Sequence, residues 1–220
     1  MSNLLYICRI LKNIANMSIK STKYRPEIDG LRAIAVLAVL IFHINPSYLP
    51  GGFIGVDVFF VISGFLIMSI VKKQVEEGSF SYKEFYTRRI KRLLPLFFSV
   101  VVFCLIAGYF LLLPSIYRNM ARDITASNVF LANFSAALFT GNYFDSDSIK
   151  PTVHFWSLAV EEQFYFIMPT LFILLYKFAR KYIVAIFIIL FISSLILSQV
   201  LSSDPKFATF SYFLLPTRMW

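Results

Sequence analysis

The chain has 220 residues, 58% of them hydrophobic, and a mean hydropathy of +0.72. A soluble domain is nearer half apolar, and here the excess is gathered into long runs, which excludes an ordinary soluble protein and marks an integral membrane protein. The net charge of +9 would suggest nucleic acid in a soluble chain; in this one it points to cytoplasmic loops and an anionic lipid surface, so the expected partner is the bilayer and not nucleic acid.

Residues 1–23 form a basic leader. Arg9, Lys12, Lys20 and Lys23 break its short apolar clusters and no cleavage site is evident, so it reads as cytoplasmic and not as a signal peptide. Met17 offers an alternative start. Cys8 and Cys104 supply neither a disulfide framework nor a metal-ligand spacing, and no metal is expected.

A crossing takes about 20 mostly apolar residues. Such runs fall near 31–48, 53–71, 93–113 and 183–201, and a fifth near 157–176 contains Glu161 and Glu162. The segment 124–140 is less apolar and holds Asn128 and Asn133. Lysine and arginine crowd the leader, the loop 72–92 and the stretch 177–182, where Lys177, Arg180 and Lys181 stand without an acid. Positive charge belongs in the cytoplasm. All three regions lie inside if 114–154 is one outer loop and 124–140 is interfacial or re-entrant. The expected fold is therefore all-α, a polytopic transmembrane bundle of about five spans plus that extra helix, with a cytoplasmic N-terminus. The final "FSYFLLPTRMW" reads as the start of a further apolar helix, so 24–220 is expected to be a domain truncated at its C-terminus.

Four constellations break the apolar pattern. In "GLRAIAVLAVLIFH", Arg32 and His43 are eleven residues apart, about three helical turns plus roughly 20°, which puts both on one face about 16 Å apart. Taken singly, each has an ordinary reading, an arginine snorkelling to phosphates and a packed histidine. Together they suggest a polar path, with histidine suited to act as a general base near neutral pH. Asp57 follows the Gly51–Gly52 connection at a depth close to that of His43 and could orient an imidazole. Gly55, Ser63 and Gly64 allow close helix approach. In "FYTRRIKRLLP", Arg88, Arg89 and Arg92 make a cluster able to grip phosphates, although by itself it fits an ordinary positive-inside anchor. In "HFWSLAVEEQFYF", Glu161 and Glu162 fall one turn into lipid; a carboxylate there needs a partner, and elimination leaves Arg32 and His43. Adjacent helical residues diverge by about 100°, so only one glutamate need face that partner.

These motifs, in the order "YRPEIDGLRAIAVLAVLIFH", "GGFIGVDVFFVISGFLI", "FYTRRIKRLLP", "HFWSLAVEEQFYF" and "PTRMW", closely resemble the membrane acyltransferase-3 family over about residues 24–220. That family includes bacterial O-antigen and peptidoglycan O-acetyltransferases. The resemblance implies a membrane O-acyltransferase of the bacterial inner membrane. It would move an acyl group, usually acetyl, from cytoplasmic acyl-CoA to a hydroxyl of an extracytoplasmic glycan or lipid-linked sugar such as lipopolysaccharide O-antigen. The family's motifs land on Arg32 and His43, on Arg89, Arg92 and Pro95, and on Trp156, Ser157, Glu161 and Glu162. With Asp57 as a carboxylate placed to orient the imidazole, the expected catalytic set is His43, Arg32, Asp57, Glu161 and Glu162, and the basic cluster of Arg88, Arg89 and Arg92 is expected to bind the polyanionic CoA. Two other classes remain open from the sequence, a transporter or flippase-like carrier and an inactive truncated fragment. Turnover of an acyl-CoA thioester separates an enzyme from both.

Overall fold

A computed structural model describes residues 25–139, 150–204 and 206–219. The expected leader and part of the expected outer loop fall outside the described residues, where every regular element is helical. The chain divides into two compact units, residues 1–62 and 63–220.

The first unit contains α1 (Pro26–Ile44), a short 3-10 turn (Gly52–Ile54) and the opening of α2 (Gly55–Glu76). Proline at the first position of α1, with Glu27 and Asp29 in the first turn and His43 in the last, complements the helix dipole at both ends. The helix stops at Asn45, which is extended and precedes Pro46. The chain then doubles back. Methyl groups placed on Gly52 and Gly55 would strike the carbonyl oxygens of Ala38 and Ala35, so the two backbones meet without side chains between them. The rings of Phe42 and Phe53 stand 5.6 Å apart, continuing the antiparallel seam. The expected tight connection is present, but Gly52 and Gly55 carry it; Gly51 has only the end of Ile54 nearby, at 3.9 Å.

The second unit holds the rest of α2, α3 (Tyr82–Leu111), α4 (Pro114–Asn128), α5 (Ala132–Phe139), α6 (Phe155–Phe178), α7 (Ile183–Ser203) and α8 (Ala208–Phe213), with 3-10 turns at Arg180–Tyr182 and Leu215–Thr217. Four helical stretches are long and apolar enough to cross a membrane: Gly52–Glu76, Tyr82–Leu111, Phe155–Phe178 and Arg180–Ser203. The expected first span is not among them, because Glu27, Asp29 and Arg32 occupy its first two turns and leave α1 an apolar run only from Ala33 to Phe42.

Three expected boundaries move for local reasons. The loop expected over 72–92 shrinks to 77–81. Helix α2 continues to Glu76, and Ser81 caps α3 by accepting from the backbone N–H of Glu84, so Arg88 to Arg92 lie on a helix. The helix expected over 124–140 is two helices broken at 129–131. The backbone N–H groups of Phe130 and Leu131 bond back to Ser127 and Ala126 at 3.0 and 2.8 Å, a Schellman-type stop. The tail is not a long helix either. After α8 it folds against α7, where Ser194 Oγ donates to the Pro216 carbonyl at 2.7 Å and Ser211 meets Ser202 at 2.9 Å.

Helices α3 and α6 run antiparallel. Phe97 meets Phe155 with ring centroids 5.4 Å apart, and farther along Tyr86 stacks on Phe166 at 5.1 Å. Two cores flank this pair. Ile67, Val71, Phe85, Tyr165 and Phe172 form one, and Phe97, Val101, Met120 and Ile124 form the other. Between them lies the candidate site of this unit.

Candidate active site

In the first unit, the Arg32 guanidinium sits 5.1 Å from the centre of the Phe59 ring and 3.7 Å from Asp29 one turn earlier. This cation is therefore held by α2 and by its own helix, not extended toward phosphates. His43 Nδ1 lies 2.8 Å from the Val39 carbonyl. A carbonyl only accepts, so Nδ1 carries the proton and, in the neutral ring, Nε2 keeps its lone pair. An imidazole fixed in this tautomer is competent as a base through Nε2. Asp57 is half-buried in the first turn of α2, where a carboxylate also suits the helix dipole.

In the second unit the three arginines of the basic cluster part company. Arg88 is exposed and pairs with Glu84 at 3.5 Å. Arg92 is exposed. Arg89 turns inward, with its guanidinium 3.4 Å from the centre of the Tyr165 ring and 5.5 Å from that of Phe85. It lines a cavity of about 30 Å³ together with Glu162, Leu93, Phe97, Leu158 and Phe130. Glu162 is 7% exposed. Among the described residues, neither its Oε1 nor the Nε of Arg89 has a hydrogen-bond partner, although both atoms are buried. The cavity opens on one side and its surface is almost wholly apolar. A buried carboxyl group and a half-buried guanidinium thus line one small cavity without saturating each other's hydrogen-bonding capacity.

Glu162 is the member of the acidic pair that lines this cavity; Glu161 is only partly buried. Elimination among the sequence's cations had left Arg32 and His43 as partners for the acids, and it passed over Arg89. The reason is the boundary error at α3. With that helix starting at Tyr82 and running antiparallel to α6 in the register of the Phe97–Phe155 and Tyr86–Phe166 ring pairs, Arg89 and Glu162 fall at one level. About 24 Å of α6 then continues past them, so Arg89 lies within the length of a spanning helix and not at its mouth.

Sequence reasoning also missed Gln163 and Asn133. Gln163 Nε2 donates to Asn133 Oδ1 at 2.9 Å and to the Phe130 carbonyl at 2.8 Å, and Asn133 Nδ2 donates back to Gln163 Oε1 at 3.3 Å. Asn133 is fully buried. Two amides in an apolar setting satisfy one another and pin the α4–α5 break to α6. The available signal was the pair of asparagines in 124–140, which marked that segment as polar but not its partner.

An all-helical, multi-pass membrane protein with a lone-pair imidazole on one helix pair and a buried arginine–glutamate cavity on another is the class these observations define. The acyltransferase domain family model matches residues 25–217, and the chain belongs to that family. It is 42% identical over 163 residues to the peptidoglycan O-acetyltransferase OatA of Listeria monocytogenes, covering 73% of this chain and 26% of that protein. It is 39% identical over 177 residues to the O-acetyltransferase OatA of Staphylococcus aureus, covering 79% and 29%. The chain thus spans little more than a quarter of the length of these relatives. No solved structure matches it.

Proposed function

We propose that the chain is the membrane part of an O-acyltransferase that takes an acetyl group from cytoplasmic acetyl-CoA and delivers it to a hydroxyl of a cell-envelope glycan. The observation that carries this reading is the acyltransferase-family match across 25–217, within which every candidate residue falls. Peptidoglycan is the favoured acceptor over lipopolysaccharide, because the Listeria relative bears that glycan in its name. In this reading the N-terminus faces the cytoplasm of a bacterial inner membrane.

The roles follow from chemistry. His43 Nε2 takes the proton of the glycan hydroxyl as its oxygen attacks the thioester carbonyl. The tetrahedral intermediate collapses, the C–S bond breaks, and the thiolate recovers the proton to leave as free CoA. Asp57 supports the imidazolium, and Arg32, eleven residues from His43 on α1, begins the polar face along which the thioester arm would approach. The exposed Arg88 and Arg92 suit the phosphates of CoA, which bidentate guanidinium contacts hold well. Arg89 belongs with Arg88 and Arg92 to the cluster assigned to CoA, and Glu161 and Glu162 to the catalytic set.

The test is release of free thiol from acetyl-CoA by membranes carrying the full chain, with soluble peptidoglycan and lipopolysaccharide fragments supplied as acceptors. Acceptor-dependent thiol release that His43→Ala abolishes, at unchanged membrane insertion, supports the reading. Unchanged turnover in His43→Ala refutes the assignment, and movement of substrate without thioester cleavage establishes a carrier instead.

A further inference from the structure

The charged opening of α3 lies too deep for a surface that faces lipid. The ring pairs Tyr86–Phe166 and Phe97–Phe155 are eleven residues apart on both helices, so α3 and α6 stay in contact, antiparallel and in step, over about 16 Å. In that register Arg88 falls level with Phe164, Lys91 with Glu161 and Arg92 with Val160. Helix α6 runs on to Lys177, which puts the three cations about 20–26 Å inside the end of the second unit that carries Lys177, Arg180 and Lys181. Yet Lys83, Glu84, Thr87, Arg88, Lys91 and Arg92 are all exposed, and only Tyr82 and Ile90 join them on the open side of residues 82–92. Farther along, α3 changes character. Leu96, Phe103 and Phe110 are each 70% or more exposed and suit lipid.

In hydrocarbon each of those cations is costly, and at that depth no lysine or arginine stem reaches the interface by snorkelling. The one acid on the face, Glu84, pairs with Arg88 at 3.5 Å, so the face keeps an excess of positive charge that water must meet. We propose that it lines a water-filled recess, which enters from the Lys177 end and presents Arg88, Lys91 and Arg92 to a soluble phosphate-bearing anion near the level of Glu161. Arg88 and Arg92 stand one turn apart with Lys91 beside them, a spacing that lets one phosphate group bridge two side chains. Depth strengthens the effect, because clustered cations focus their field in a narrow aqueous cleft with low-dielectric walls. The recess is read from depth and exposure and stands whichever phosphate compound fills it. On the acyl-transfer reading it is the route by which CoA reaches its cluster.

The test is thiol accessibility in membrane vesicles of both orientations that carry the full chain. Arg88→Cys, Lys91→Cys and Arg92→Cys are made singly in a Cys8→Ser/Cys104→Ser background. Lys181→Cys marks the mouth, and Phe103→Cys and Phe110→Cys mark lipid. The probes are two membrane-impermeant thiosulfonates, one bearing a sulfonate and one a trimethylammonium. All three deep positions should react from the side that reaches Lys181→Cys. The sulfonate should react faster than the trimethylammonium by about tenfold or more, a preference that salt erodes. Inorganic pyrophosphate, at matched ionic strength, should slow the sulfonate there more than at Lys181→Cys. Three positions keep the test valid if one variant fails to fold. Deep positions that resist both probes, as Phe103→Cys should, overturn the recess, and so does reaction only from the side opposite Lys181→Cys. Reaction that neither probe charge nor pyrophosphate influences overturns the anion site. If pyrophosphate protects and CoA does not, the cluster leaves the donor reading while the recess stands.

Discussion

Adding one methyl group at Gly52 or Gly55 tests whether α1 and α2 are joined backbone to backbone. At Gly52 the new Cβ strikes the Ala38 carbonyl oxygen and lies 2.8 Å from the Cβ of Phe42; at Gly55 it strikes the Ala35 carbonyl oxygen and lies 2.9 Å from a Val39 methyl. Ordinary carbon–oxygen contacts of this kind lie at about 3.3–3.6 Å. The atoms struck belong to helix backbone and cannot rotate away, so the helices must separate. Overpacking of this sort costs about 1–3 kcal/mol per site. The Gly52→Ala/Gly55→Ala double variant should therefore lose about 2–6 kcal/mol. At about 2–4 °C per kcal/mol for a chain of this size, its unfolding midpoint should fall by about 4–24 °C. Two controls separate crowding from any generic effect of alanine. A Cβ at Gly30, inside α1, meets nothing within 4 Å, so Gly30→Ala should gain up to about 1 kcal/mol of helix propensity. At Gly64 it makes only an ordinary 3.5 Å contact with Phe164, and Gly64→Ala should not destabilise. The assay is thermal unfolding of detergent-solubilised protein, followed by the loss of the monodisperse peak of a fluorescent fusion on gel filtration. A double variant with the wild-type midpoint would refute the close seam, and Gly30→Ala falling in parallel would show that the measurement reads something other than crowding.

Arg89→Met should destabilise by about 1–3 kcal/mol, because it leaves the buried Glu162 without the cation that shares its cavity. Arg89→Met/Glu162→Gln should recover part of that loss in the same unfolding assay; strictly additive effects would dissolve the coupling. His43→Gln keeps a hydrogen-bonding side chain but cannot take up a proton, so acceptor-dependent thiol release should drop about 10²- to 10⁴-fold with the midpoint unchanged. Arg218→Lys removes the planar stack over Tyr212 at 4.5 Å and over Trp156 at 5.5 Å, together with the Nε bond to the Tyr212 carbonyl. It should cost about 1–3 kcal/mol, read as a lower midpoint, and a wild-type midpoint would show that the stack carries no stability.

The fold class was legible because hydropathy in long runs has few physical solutions: a helix satisfies its own backbone, and lipid demands that. The apolar runs near 53–71, 157–176 and 183–201 became spanning helices within a turn or two of the expected limits. The break at Phe130 was not legible, since nothing local marks a phenylalanine for a left-handed backbone. Its stability comes from Gln163, 33 residues away. The helical stop before it is equally a tertiary outcome, in which two amides settle a segment that propensity alone reads as continuous.

The site shows where charge arithmetic stops being informative. Counting lysines and arginines assigns whole segments to a side of the membrane, and it treats Arg88, Arg89 and Arg92 as one population. The structure divides them by helical phase. A rotation of about 100° per residue keeps Arg88 exposed beside Glu84 and brings Arg89 onto the face that meets α6, where Tyr165 covers its guanidinium. Once the capping serine at 81 extends α3 downward, the residue that positive-inside reasoning counts as an anchor becomes the cation facing a buried carboxylate. The same extension explains why Glu162 can lie one to two turns inside an apolar helix. Its charge is met from the neighbouring helix and not from solvent, so the cost of placing an acid at that depth is offset within the second unit itself.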